Sequence, residues 1–264
     1  MIRKLHIALV VTGLATALVG PALAGPIAPA GSAVTCRAAA GLARLDHVLV
    51  RTMQRLDAGL PITIVAVGSS STAGAGASSP SHSYPNRLAV ELQQLFPGHP
   101  ITVLNRGANG EEAFDTLARF ERDVLAEKPD LVLWQVGTNS LLRERKLEVF
   151  GTAIHEGVAR LKASAADVVL IDPQFAPQVL AMPGIGDVNS LIANVAKRDN
   201  VNLFRRFAVM QNWREASGIP FATFLTPDDL HMNDWGYGCI ARVLAGAIAE
   251  AASRPALTAR AAAR

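Results

Sequence analysis

Short apolar runs of strand length recur along the chain, at Ile62–Val67, Ile101–Leu104, Leu131–Val136, Val168–Ile171 and Val201–Phe204. Between them the apolar positions fall at helical spacing over Tyr84–Phe96, Glu111–Ala126, Arg145–Lys162, Asp187–Arg198 and Arg206–Ala216. A last helix is predicted from Asp234 to about Ala252. Upstream, Leu42, Leu45, Val48, Leu49, Met53 and Leu56 share one face of a predicted amphipathic helix over Cys36–Leu56, with Arg44, Asp46, His47, Arg51 and Arg55 mostly on the other. Strand runs apolar on both faces, separated by helices, predict a parallel sheet covered on both sides. Right-handed crossovers then give a three-layer α/β/α sandwich with a five-stranded parallel sheet. In such sheets ligands bind beyond the carboxyl ends of the strands, so the residues just after each strand are where chemistry is to be sought.

The amino terminus follows another pattern. Met1–Lys4 is short and basic, an apolar stretch runs from Leu5 to about Gly20, and Ala22-Leu23-Ala24 places small residues at the −3 and −1 positions. This is the layout of a secretory signal peptide over residues 1–24. A stretch of roughly 18–20 residues could also just span a bilayer, but Thr12, Gly13, Gly20 and Pro21 weaken it as an anchor. No second run of that length follows, so the mature chain is expected to have no membrane span and to be exported, either periplasmic or secreted. A Gly/Pro/Ala linker is expected over 25–35, one domain over 36–253, and a disordered alanine-rich tail over 254–264. Both cysteines, Cys36 and Cys239, lie in the exported part, where an oxidising compartment permits a disulfide. Such a bridge would join the first mature helix to the last; two separate buried thiols are the alternative.

Composition narrows the class. Of 264 residues, half are apolar and 18% charged, enough for a large core and incompatible with disorder in the bulk of the chain. The net charge of +3 hints at nucleic acid until the charges are located. Arg3 and Lys4 sit in the leader, and Arg254, Arg260 and Arg264 in the tail, which leaves 20 basic against 22 acidic residues with no basic cluster. A phosphate-binding surface needs clustered Lys and Arg, so nucleic acid is not an expected partner.

Four segments stand at or near predicted strand ends: Gly68-Ser69-Ser70-Ser71-Thr72-Ala73-Gly74-Ala75-Gly76, Asn105-Arg106-Gly107-Ala108-Asn109-Gly110-Glu111, Gly137-Thr138-Asn139-Ser140, and Asp228-Asp229-Leu230-His231-Met232-Asn233 before the last helix. A serine becomes a nucleophile only when a base takes its proton and a third group fixes that base. His231 can be the base, and Asp228, three residues earlier, can reach its other ring nitrogen. Acyl transfer also needs donors aimed at the developing oxyanion, and the N–H groups of Ser70 and Gly110 and the Asn139 amide are such donors at adjacent strand ends. The glycine-rich loop lacks the lysine and spacing of a phosphate cradle, and His155-Glu156 lacks the second histidine of a zinc protease helix. No metal or cofactor is expected.

In order and spacing, these four segments resemble the blocks of the SGNH hydrolases, also called the GDSL family, over the chain from Ile62 to about Ala249. The resemblance implies a flavodoxin-like sandwich, Ser70 as nucleophile, His231 and Asp228 as base and orienting acid, and Ser70, Gly110 and Asn139 as the oxyanion hole. Tyr84-Pro85 matches an aromatic–proline pair often found at the start of the first helix. Two positions depart from the family pattern. Ser69 replaces the acid before the nucleophile, which puts the packing of that loop in question and, with Ser69 and Ser71 flanking Ser70, leaves the register of the nucleophile open; Ser140 replaces the acid after Asn139. The implied activity is hydrolysis of carboxylic esters through an acyl-enzyme, on an acetylated carbohydrate or a lipid ester. The Pro- and Met-containing segment Phe175–Gly186 is expected to wall the site, and its apolar character tilts toward acyl chains. Two alternatives remain at this stage: a non-catalytic envelope binding protein on the same scaffold, and a flavodoxin-like cofactor protein. Trp134 is predicted to be core; Trp213 and Trp235 are not placed by the pattern, and neither is the oligomeric state.

Overall fold

The computed structural model describes residues 36, 38–39 and 41–255. The predicted leader, the linker over 25–35 and the tail beyond residue 255 lie outside the described residues. In chain order the elements are α1 (Val50–Asp57), β1 (Ile62–Gly68), α2 (Ser70–Ala73), α3 (Tyr84–Leu95), β2 (Ile101–Gly107), α4 (Ala113–Ala118), α5 (Phe120–Asp123), β3 (Leu131–Gln135), α6 (Thr138–Leu142) and α7 (Leu147–Ala163). They continue with β4 (Asp167–Ile171), α8 (Pro177–Leu180), α9 (Ile185–Arg198), β5 (Asn202–Phe204), α10 (Arg206–Gln211), α11 (Phe221–Phe224) and α12 (Asp234–Ser253).

Among the described residues the five strands form one sheet in the order β2-β1-β3-β4-β5, every pair parallel. The sandwich predicted from the alternation of strand and helix is thus the fold. β1, β3 and β4 are buried along nearly their whole length, whereas β2, at the edge, is only partly covered, in keeping with its polar Asn105 and Arg106. Helix α3 packs on β2 and α12, and α7 packs on α4, α9 and β4. From β1 the chain moves first to β2 on one side and then back to β3 on the other. The strand order therefore reverses at β1, and the crevice beyond its carboxyl end is the natural place for a ligand.

Close packing behind this crevice depends on particular residues. Trp134 on β3 is fully buried, edge-on to Phe120 with ring centroids 4.9 Å apart. The backbone of α7 lies so near this indole that a Cβ on Gly157 would come within 2.2 Å of it. Trp213 is also fully buried, edge-on to Phe224 and Trp235. Among the described residues no helix is long and apolar enough to cross a membrane.

Several elements differ from the sequence expectation. The helix predicted over Cys36–Leu56 begins only at Val50. Leu45 and Leu49 are buried as their spacing requires, but the chain reaches them in turns. The reason is a competing set of long-range bonds. The Asn202 side chain accepts from the His47 N–H at 2.7 Å and donates to the His47 carbonyl at 3.1 Å, so this stretch pairs with β5 instead of with its own helical turn. His47 consequently sits in a bend. Cys36, outside any helix, is bonded to Cys239 on α12, with Cα atoms 5.0 Å apart. The predicted Glu111–Ala126 helix divides into α4, α5 and a terminal 3₁₀ turn over Leu125–Glu127, and the predicted Arg206–Ala216 helix becomes α10 and a π turn over Asn212–Ala216. Arg254, expected in the tail, instead packs on the domain, donating to the carbonyls of Leu45 and Asp46 and pairing with Glu250.

Candidate active site

The Gly68–Gly76 segment leaves β1 at Gly68 and turns at once into the one-turn helix α2. Ser69 takes the extended N-cap conformation, its carbonyl accepts from the N–H groups of Thr72 and Ala73 at 3.0 Å each, and Gly74 ends the turn in the left-handed region. Ser70 is the first helical residue, where the helix itself offers no acceptor for the N–H. Ser69, which replaces the family's acid, is 3% exposed and held by the side chain of Gln135 at the end of β3. Gln135 Oε1 accepts from both the Ser69 N–H and the Ser69 hydroxyl at 2.9 Å. A neutral acceptor from the neighbouring strand therefore braces this loop. On the far side, Tyr237 donates its hydroxyl to the Ala75 carbonyl at 2.6 Å, and Ser78 is bonded through N–H and hydroxyl to Asp234.

His231 arrives from the opposite end of the chain. The loop before α12 is closed by an antiparallel bridge between Leu225 and Met232, and Asn233 caps α12 by accepting from the Gly236 N–H at 3.0 Å. Within the loop, Asp228 Oδ1 accepts from the N–H groups of Leu230 and His231 at 3.0 and 2.9 Å and from the Thr226 hydroxyl at 2.6 Å. The other carboxylate oxygen faces His231 Nδ1 at 2.6 Å, and His231 Nε2 lies 2.9 Å from Ser70 Oγ. Burial pushes the Asp228 carboxyl up, but the bonds from Thr226, His231 and the loop N–H groups outweigh it and hold it well below the usual carboxylate range. An ionised carboxylate only accepts, so Nδ1 carries a ring proton, and in the neutral ring Nε2 is the acceptor facing the serine hydroxyl. The three residues are aligned for transfer of the Ser70 proton to the imidazole.

Gly110 and Asn139 follow β2 and β3, the two strands flanking β1. Gly68 is in register with Gly107, and the Ala108 N–H donates to the Gly68 carbonyl at 2.9 Å, which ties the Gly110 turn to the end of β1. Asn139, in the first turn of α6, donates one amide hydrogen to the Glu111 carbonyl at 2.8 Å. The second hydrogen remains for another acceptor. Sequence reasoning missed the frame around these donors. Glu112, 4% exposed, accepts from Arg145 through both oxygens, from Arg143 at 3.1 Å and from the Ser140 hydroxyl at 3.1 Å. Arg145 above all, with Arg143 and Ser140, holds the Glu112 carboxyl below its ordinary range against burial. Ser140, the second departure from the family, thus makes one bond in an ion-pair network. Arg143 also brings its second guanidinium nitrogen to 3.6 Å from where a Gly110 Cβ would stand.

The segment Phe175–Gly186 meets the His231 loop and, through Met182, Pro183 and Gly184, lines a concavity of about 220 Å³ beside Ser140 and Leu141. Phe175, Ala176 and Val179 are buried in the core, while Gln178 donates to the carbonyls of Asp229 and Asp228 through its N–H and Nε2, at 3.1 and 2.7 Å. Part of the apolar content there is therefore core packing, while Leu180 is exposed and Met182 only partly buried. The one signal that could have exposed Gln135 is a lone polar residue closing an otherwise apolar strand. Concavities of about 440 and 430 Å³ lie elsewhere, between α7 and α9 and beside Cys36.

Comparison with known proteins places this geometry. A segment of 56 residues is 41% identical to an acetylxylan esterase of Geobacillus stearothermophilus, covering 21% of this chain and 26% of that protein. A segment of 95 residues is 30% identical to an arylesterase of Vibrio mimicus, covering 36% and 46%. Among solved structures, a two-domain esterase active on acetylated mannans superposes with a TM-score of 0.70 at 24% identity, over 81% of this chain and 56% of that one. A Geobacillus stearothermophilus acetylxylan esterase superposes with a TM-score of 0.60 at 21% identity, over 71% and 94%. The chain thus spans about a quarter and under half of the two sequence relatives, and just over half of the two-domain esterase. At these identities the superpositions establish the sandwich fold. The sequence model of the non-GDSL lipase-like family matches residues 35–254, the whole described domain, and the chain belongs to that family.

Proposed function

We propose that this protein is an exported serine esterase that hydrolyses carboxylic esters through an acyl-enzyme, with acetylated carbohydrate as its substrate class. The observation that carries the reading is the row Ser70–His231–Asp228, bonded at 2.9 and 2.6 Å across 161 residues of sequence separation. Ser70 Oγ attacks the acyl carbonyl while His231 Nε2 takes its proton. Asp228 keeps the imidazole in the required tautomer and stabilises the imidazolium. The N–H groups of Ser70 and Gly110 and the free hydrogen of Asn139 receive the oxyanion. The imidazolium then protonates the departing alcohol, and water, activated by the same base, releases the acyl group.

The carbohydrate assignment draws on the relatives, of which one is an acetylxylan esterase and another is active on acetylated mannans. It also fits the openness of the site: the Asp228 side chain is 46% exposed, so an ester borne on a polymer can approach. Export draws on the leader pattern and on the Cys36–Cys239 bridge, which an oxidising compartment sustains. Ser69 lends no support to the binding-protein alternative, because Gln135 supplies the brace that the missing acid would have given.

The test is hydrolysis of p-nitrophenyl acetate and of acetylated xylan and mannan, beside a palmitoyl ester, with labelling by a serine-directed phosphonate. Turnover of the acetyl substrates, a label on Ser70, and loss of both in Ser70→Ala are expected. Full activity in Ser70→Ala would remove the nucleophile assignment, and preference for the palmitoyl ester would remove the carbohydrate one.

A further inference from the structure

Adjoining the site is a buried polar network that the proposed chemistry does not use. Gln174, 1% exposed, stands just past the carboxyl end of β4. Its Oε1 accepts from the Thr138 hydroxyl at 2.9 Å and from Arg206 Nη2 at 3.0 Å. With two donors converging on the oxygen, the amide orientation is fixed, and Nε2 donates to the Leu230 carbonyl at 3.2 Å. Thr138 immediately precedes Asn139, and Leu230 immediately precedes His231. One amide therefore joins the segment that presents the oxyanion donor to the loop that presents the base.

The anchor of this amide is unusual. Arg206 is 1% exposed, and its Nε donates to the Asp172 carbonyl at 2.9 Å. Asp172 in turn accepts from the Phe207 N–H at 2.9 Å, which pins the start of α10 to the end of β4. Arg206 Nη1 is enclosed and meets no acceptor. A guanidinium kept in the core with a donor unspent is a costly arrangement, and its directional consequence is a rigidly held Gln174 oxygen.

We propose that Gln174 is a positioning residue for ester hydrolysis, setting the distance between the His231 loop and Asn139, with Arg206 as its buried anchor. This rests on the serine-esterase reading above. A base and an oxyanion donor displaced relative to each other bind the ground state as before and lose the transition state, so the signature is a fall in kcat at constant KM.

The experiment is steady-state kinetics on p-nitrophenyl acetate for Gln174→Glu, Gln174→Leu, Thr138→Val and Thr138→Ser, with active sites counted by the phosphonate and thermal melts alongside. Gln174→Glu keeps an acceptor for Thr138 and Arg206, loses the donor to Leu230 and sets a carboxylate beside the Arg206 guanidinium. We expect its kcat per site to fall about 10- to 100-fold with KM within about twofold and the melt preserved. Thr138→Val should lower kcat per site about 3- to 10-fold, and Thr138→Ser should restore it. A purely structural role would reduce the number of reactive sites and leave kcat per site unchanged, a result that overturns the proposal. If the Gln174 variants fail to fold, a wild-type kcat per site in Thr138→Val overturns it as well. A wild-type protein that neither hydrolyses the ester nor takes the label on Ser70 removes the esterase reading and this role with it. An active wild type with all four variants unchanged removes this role alone.

Discussion

Asn139 donates one amide hydrogen to the Glu111 carbonyl, which orients its side chain, and in the proposed mechanism the other meets the oxyanion. Preorganisation of that kind is what makes an oxyanion donor effective, and loss of one such donor typically costs about 10²- to 10³-fold in rate. Asn139→Ala should therefore fold normally, as a melt would show, and lose about that much in kcat on p-nitrophenyl acetate with little change in KM. Ser70, Asp228 and His231, which the structure brings into one bonded row, and Gly110 and Asn139 at the flanking strand ends were candidates from the sequence, because each lies in a short local motif of the residue types that the proposed chemistry needs. Gln135, Glu112 and Gln174 were not. Their partners lie between 28 and 66 residues away, and a lone polar residue at the end of an apolar strand hints at a role without naming the partner.

The elements that present these residues depend on backbone approaching backbone. Gly107 closes β2 against α2 so tightly that a Cβ there would lie 2.1 Å from the Ala73 nitrogen and 2.5 Å from the Thr72 carbonyl carbon. Main chain cannot rotate away as a flexible side chain does, so Gly107→Ala must push α2, and Ser70 with it, out of line with His231. The expected outcome is loss of at least about 10²-fold in kcat/KM, with a destabilisation of roughly 1–3 kcal/mol in a urea titration. The same scale explains where helix prediction failed. Residues 42–49 have the apolar spacing of a helix, yet Asn202 offers the backbone of His47 a better-defined pair of bonds, and tertiary contact overrides local preference.

At the scale of the whole molecule, two features govern stability. The Cys36–Cys239 bridge closes a loop with a sequence separation of 203, pinning the segment ahead of α1 to α12. In the chain-entropy account a loop of that length stabilises by roughly 5 kcal/mol, so a reductant, or Cys36→Ser with Cys239→Ser, should lower the melting temperature by roughly 10–20 °C in calorimetry. The second feature is the buried carboxyl of Asp172. Burial pushes it up to about 7, although the Phe207 N–H and Arg206 pull it down. Between about pH 4 and that value the folded protein keeps a proton that the unfolded chain has released, so stability falls as pH rises through this window. Asp172→Asn retains an acceptor for Phe207 and should raise the melting temperature by roughly 3–10 °C at pH 8 while changing little at pH 4.

Alternating apolar runs and helical periods determined the layers and strands of this protein, because burial imposes its period on the residues themselves. Local motifs pointed to the proposed chemistry, since the residue types expected of a nucleophile, base, acid and oxyanion donors stand in short segments of their own. Tertiary structure alone decided how Ser69 and Ser140 are accommodated, that the two cysteines meet, and that Gln174 spans the site. Those outcomes depend on groups far apart in sequence arriving within hydrogen-bonding or bonding distance, and a one-dimensional pattern carries no term for that proximity.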